Sequence, residues 1–183
     1  MTKKLGLATS LVAVLALTAL VGMHAFAGGG KTELKADTLT GYQEAAASGA
    51  IATTATGTFE ATINDDNTIS YTLTYQGLTT PATVAHIHFG NRVQNGSVVV
   101  FLCGGGGQAS CPPGTTEQAT VTGTITSANV AGVAAQGIMA NGAGLQQLVD
   151  GLRAGVMYAN VHDSTFASGE IRGQINDDNQ RQP

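Results

Sequence analysis

Hydrophobicity along this chain alternates with period two over long stretches, and this restricts the fold to β-structure more than any other feature. Gly57, Phe59, Ala61 and Ile63 alternate with Thr56, Thr58, Glu60 and Thr62. Asn64-Asp65-Asp66-Asn67 then makes a turn, and Ile69, Tyr71, Leu73 and Tyr75 alternate with Ser70, Thr72, Thr74 and Gln76 on the return. Successive side chains of a strand point to opposite faces, so the two segments predict an antiparallel hairpin with one face buried. Val84 to Gly90 is a further strand, and the nearly continuous apolar run Ser97 to Leu102 predicts one covered on both faces. Alternation returns at Ala119 to Thr126, at Val156 to His162 and at Glu170 to Ile175. Ser127 to Gly144, rich in Ala and Gly, reads as an ordered loop with one helical turn. Leu145, Leu148, Val149 and Leu152 follow the i, i+3, i+4, i+7 spacing of one short amphipathic helix near 145–153. The expected fold is all-β, an antiparallel sandwich or barrel of about eight strands.

The first 27 residues stand outside this pattern. Lys3 and Lys4 precede an apolar run, Leu5 to Val21, that ends at Ala25-Phe26-Ala27. This is the anatomy of a secretory signal peptide cleaved after Ala27, leaving 28–183 as a single domain with a core over about 33–176. That segment carries six Lys and Arg against twelve Asp and Glu. Its net negative charge argues against nucleic acid or an anionic membrane as partner. The expected location is outside the cytoplasm, extracellular or periplasmic, and the expected partner an extracellular ligand or protein. In an oxidising compartment the only two cysteines, Cys103 and Cys111, are expected to form a disulfide across a Gly-rich loop. A thiolate metal pair is the weaker alternative, because no histidine lies nearby in sequence.

Candidate chemistry concentrates on three strands. His86 and His88 are two apart and share a face, opposite Ala85, Ile87 and Phe89. Tyr158, Asn160 and His162 share another face, and Glu170, Arg172 and Gln174 a third. If the last two strands pair, His162 and Glu170 flank the loop between them and lie close together. Elsewhere the exposed faces are threonine and serine, so these strands depart from the rule of the chain. One reading is a copper or zinc site with His86, His88 and His162 as ligands, completed by Glu170 or a water. Asn160 or Glu170 would then fix the ring tautomers. The other is an ion-free hydrogen-bonded network in which Glu170 pairs with Arg172 or a histidine. Ser164, His162 and Asp163 are adjacent, but adjacency is not triad geometry. No Gly-x-Ser-x-Gly elbow or phosphate loop occurs, so a non-enzymatic protein is expected.

Four motifs occur in order: Leu39-Thr40-Gly41-Tyr42-Gln43-Glu44, Ala85-His86-Ile87-His88-Phe89-Gly90, Tyr158-Ala159-Asn160-Val161-His162, and Gly169-Glu170-Ile171-Arg172-Gly173-Gln174-Ile175. Together they resemble the CHRD domain, named for chordin, where it is repeated, and found singly in exported bacterial proteins. The resemblance implies an extracellular, immunoglobulin-like β-module with a binding or structural role. The Cys103 to Cys111 loop departs from the family pattern, and chordin's growth-factor antagonism is not carried over to a lone domain. His86-Ile87-His88-Phe89-Gly90-Asn91 is also similar to the copper-binding strand of copper/zinc superoxide dismutases. Their two-metal centres take six histidines and an aspartate. The three histidines of 28–183 exclude that centre and allow at most a single copper or zinc site.

Overall fold

A computed structural model describes residues 32–45 and 49–177. The expected leader, residues 1–27, lies outside the described residues. Eight strands form one antiparallel sheet: β1 (Thr32–Thr40), β2 (Thr56–Ile63), β3 (Ile69–Gln76), β4 (Ala82–Phe89), β5 (Ser97–Cys103), β6 (Ala119–Ile125), β7 (Met157–Asp163) and β8 (Ile171–Asp177). Their spatial order is β5-β4-β7-β8-β1-β2-β3-β6. The sheet curls until the edge strands β5 and β6 approach one another, which makes it a nearly closed barrel.

Alternation sets the inside of the barrel. Phe59, Ala61 and Ile63 of β2, Ile69, Leu73 and Tyr75 of β3, and Ala85 and Ile87 of β4 are buried, and so are Ala159 and Val161 of β7 and Ile171 and Ile175 of β8. Each fully buried large aliphatic side chain contributes about 1.5–3 kcal/mol. The predicted hairpin forms in full register from Thr56↔Gln76 to Ile63↔Ile69, and Asn67 turns the chain at a φ of 62°. Outside, the same strands carry a threonine ladder in which Thr58 and Thr74 hydroxyls bond at 2.8 Å. Helix α1 (Gly142–Arg153) starts three residues earlier than the apolar stripe and buries Leu148, Val149 and Leu152. The loop before it holds two short 3-10 turns, Ser127–Asn129 and Ala134–Gln136, where one turn was expected.

Strand β1 is the element that periodicity does not reveal. Leu34 and Ala36 face the core in step, but the register slips between Ala36 and Leu39, so Leu39 is buried three residues after Ala36. A bulge of this kind breaks the alternation that would announce the strand. β1 joins β8 to β2 and so connects the histidine-bearing half of the sheet to the threonine-bearing half.

Candidate metal centre

On the outer face of β4, β7 and β8 the rule of the other strands is reversed. Every residue of β7 is buried, including the outward-facing Tyr158, Asn160 and His162. His86, His88, Arg172 and Gln174 are buried as well. An unpaired buried polar group costs about 1–3 kcal/mol, so each side chain of this face has to find partners. They find them in loops folded over the sheet. The Arg172 guanidinium donates to the carbonyls of Gln94 (3.0 Å) and Asn91 (2.7 Å). Gln174 Nε2 donates to the carbonyls of Gly90 and Gly155. Asn160 Nδ2 donates to Glu44 Oε1 and to the Ile171 carbonyl. Gly169, at a φ of 118°, lies against that last contact, and a Cβ there would come within 2.5 Å of Asn160 Nδ2 and 2.7 Å of Glu44 Oε1.

The register brings the histidines together. His86 faces Asn160 across the β4/β7 ladder and Val84 faces His162, which sets His86 and His162 on a diagonal. His86 Nδ1 lies 3.1 Å from His162 Nε2. One nitrogen from each of His86, His88 and His162 can be chosen so that all three lie within 4.8 Å of one another.

The partners decide the tautomers. A carbonyl can only accept, so His88 Nδ1 donates to the Gly96 carbonyl and His162 Nδ1 to the Ala167 carbonyl, each at 3.0 Å. Both rings therefore present an Nε2 lone pair. That of His162 receives the His86 Nδ1 proton. That of His88 is buried and has no hydrogen-bond partner among the described residues. Burial, followed by the neighbouring His162 and His88 rings, lowers the His86 pKa to about 3. Burial lowers that of His88 to about 4, against the bond to Gly96. His162 is lowered too, by burial against the opposing pull of the Ala167 bond and Asp163. All three rings are neutral near pH 7, the form that ligates metal.

Aromatic contacts hold the rings in place. His88 stacks on Tyr158 with centroids 4.7 Å apart and planes 3° apart, and the Arg172 guanidinium lies 3.4 Å from the centroid of the Tyr158 ring. Guanidinium, phenol and imidazole thus form a linked stack. The Tyr158 hydroxyl accepts from the Gly96 N–H, whose carbonyl accepts from His88, so one residue orients both rings. Phe101 of β5 packs edge-on against His86 at 4.7 Å.

The supporting residues named from sequence have other duties. Glu170 does not reach the histidines: its carboxylate accepts from the Thr53 hydroxyl, the Thr79 N–H and the Thr79 hydroxyl. Strand β8 begins only at Ile171, so Glu170 is outside the alternation that would aim it at His162. Asn160 bonds Glu44 and not an imidazole, and backbone carbonyls fix the tautomers in its place. Arg172 pairs with carbonyls and Tyr158, not with Glu170. Ser164, His162 and Asp163 form no relay, because the Ser164 hydroxyl bonds Thr80 at 2.9 Å and Asp163 accepts from Thr80 and Phe166. Burial pushes the Asp163 pKa up, but these donated bonds outweigh it and hold it low.

Glu44 is the residue that sequence reasoning missed. Burial raises its pKa to about 7, against the attraction of Arg172 and the bonds from Ala45 and Asn160. Its place in the first of the four motifs was the available signal. Cys103 and Cys111 form the expected disulfide, with Cα atoms 5.0 Å apart. No helix among the described residues is long and apolar enough to cross a membrane.

No curated protein and no solved structure matches the chain. The model of the CHRD domain matches residues 36–175, a span that takes in β2 to β7, most of β1 and β8, His86, His88, His162 and Glu44. The chain belongs to the CHRD domain family.

Proposed function

We propose that this CHRD domain is a non-enzymatic, exported module that holds one copper or zinc ion through His86, His88 and His162. The observation that carries the reading is the buried, unpartnered Nε2 of His88, its ring oriented by the Gly96 bond, in a cluster where one nitrogen from each of the three rings lies within 4.8 Å of the others. A purely structural network would be expected to pair that nitrogen, since leaving it bare costs about 1–3 kcal/mol. Three neutral imidazoles suit borderline ions, and Nδ1–H bonds to carbonyls are the usual orienting partners of metal-bound histidine. Tetrahedral zinc with bonds of about 2.0–2.1 Å would set the nitrogens about 3.3–3.4 Å apart, so a separation of up to 4.8 Å would close by about 1.5 Å. Ligation through His86 Nδ1 would move that ring's proton to Nε2. With Glu170 engaged by Thr53 and Thr79, a water is the natural fourth ligand. The disulfide and the family support export.

Calorimetric titration of copper(II) and zinc(II) into chelator-stripped protein spanning 28–183 tests the reading. One ion per chain is expected. His86→Ala with His88→Ala should weaken binding by more than about 100-fold, beyond the effect typical of an orienting partner. Absence of stoichiometric binding, or binding unchanged in the double variant, would leave the ion-free network as the correct account.

A further inference from the structure

A pocket of about 430 Å³ opens beside the polar face, lined by Tyr42, Glu44, Arg92, Val93, Arg172 and Gln174 among others. Its size falls in the range of small-molecule sites, about 300–1,000 Å³. We propose that this pocket binds a hydroxyl-bearing carboxylate, a sugar acid of the hexuronate type. The proposal does not rest on the metal reading.

Four features converge on that chemistry. Gln174 is buried, and its Nε2 is committed to the Gly90 and Gly155 carbonyls, so the amide cannot turn over without leaving two acceptors bare. Its Oε1 is consequently a buried acceptor with no partner among the described residues, on a residue that lines the pocket, and a ligand hydroxyl wedged in beside Gln174 would satisfy it. Charge is the second feature. The chain has only four arginines and a formal net charge of −4, yet two of the four line this one pocket. Arg172 is committed to Gln94, Asn91 and Tyr158 and supplies a fixed positive field. Arg92 is half-buried and makes no hydrogen bond or ion pair among the described residues, which leaves its fork available to a carboxylate. Third, Tyr42 is 72 % and Val93 86 % exposed, and they are two of the three large apolar side chains so exposed among the described residues. At the rim of this pocket they offer a flat wall to the C–H face of a sugar ring. Fourth, Glu44 faces Arg172 and Tyr158, with Asn160 bonded to it, and its carboxyl is poised near neutrality. A ligand carboxylate entering beside it favours the protonated form.

Alternatives fit less well. A cation meets two guanidinium groups, a fully ionised phosphate monoester has no donor on its phosphate for Gln174 Oε1, and a neutral sugar leaves Arg92 unpaired.

The test uses chelator-treated protein spanning 28–183, with galacturonate, glucuronate, glucose and glucosamine as probes in calorimetry and in NMR titration. The uronates should bind at least about tenfold more tightly than glucose or glucosamine, shifting the Tyr42 resonances. Arg92→Ala should remove that preference, and Tyr42→Ala should weaken all binding without unfolding an exposed site. Uronate binding near pH 7 should take up a proton, seen as a dependence of the heat on buffer ionisation, and Glu44→Gln should abolish the uptake. No uronate binding, equal affinity for glucose, preference for glucosamine, or a preference that survives Arg92→Ala would each overturn the proposal.

Discussion

At the scale of single residues, the proton equilibria of the polar face pull stability in opposite directions. His86, His88 and His162 are buried neutral, with folded pKa values below the ordinary 6.5. Between pH 6.5 and about 4 the unfolded chain binds more protons at these sites, so their contribution is present above pH 6.5 and is lost as pH falls. Glu44 behaves in the opposite sense. Its folded pKa of about 7 lies above the ordinary 4.5, so its contribution is present below pH 4.5 and is lost as pH rises through 7. Near pH 5.5 His86 and His88 set against Glu44 leave about one proton in favour of the unfolded state, and His162 adds in the same direction; each proton contributes about 1.4 kcal/mol per pH unit. Urea denaturation of chelator-treated protein should therefore show stability falling steeply from pH 6.5 to pH 4.5, and Glu44→Gln should steepen the slope by about one proton. A flat profile would mean that the rings are not held neutral. The histidines were legible in the sequence because two of them obey strand alternation and the third lies on a strand of the same type. Glu44 was not, because its burial is produced by a turn folding over Asn160, a contact between residues 116 apart.

At the scale of elements, the loop after β5 acts as a clamp. Phe101 faces outward against His86, and Gly105 and Gly106 lie on the other side of its ring, where a Cβ on Gly105 would come 2.7 Å from Phe101 Cδ1 and Cε1. The Cys103–Cys111 bridge holds this loop closed. Gly105→Ala should cost about 1–3 kcal/mol by pushing Phe101 towards His86. Gly142→Ala, at the start of α1 with nothing within 4 Å of the new Cβ, should be neutral or stabilising by up to about 1 kcal/mol. Chemical denaturation of the two variants, with the His86 ring resonances as local probe, separates the clamp from a general intolerance of larger side chains. Replacing both cysteines by serine should cost about 2–4 kcal/mol on the same scale. Disulfide and hairpin were readable from compartment and period. The clamp was not, since Gly104 to Gly107 reads as a featureless loop until Phe101 is seen beneath it. β1 escaped notice for a related reason, its bulge placing Leu39 out of step with Leu34 and Ala36.

At the scale of the whole molecule, the barrel is closed by side chains where the backbone ladder stops. β5 and β6 are the edges of the sheet, and an open edge exposes unpaired backbone groups. Tyr71 of β3 reaches out to β5 and donates its hydroxyl to the Leu102 carbonyl at 2.9 Å, in buried surroundings. Tyr75 donates likewise to the Pro112 carbonyl at 2.6 Å, tying β3 to the segment after the disulfide. The Ala131 N–H adds a bond to the Val99 carbonyl. Burial raises the pKa of both phenols, that of Tyr75 to about 12, so each remains a donor at any pH the fold survives. Sequence alternation predicted that Tyr71 and Tyr75 point inward, but not that their hydroxyls span the seam, because closure depends on curvature summed over eight strands. Tyr71→Phe keeps the ring and its packing on Phe59 and strips the Leu102 carbonyl of its partner, so it should cost about 1–3 kcal/mol. Native-state hydrogen exchange should then show the loss concentrated in β5 and β6, with β7, β8 and β1 keeping their protection. A uniform loss across all eight strands would mean that the barrel opens only as a whole and that its seam is not a separate unit of stability.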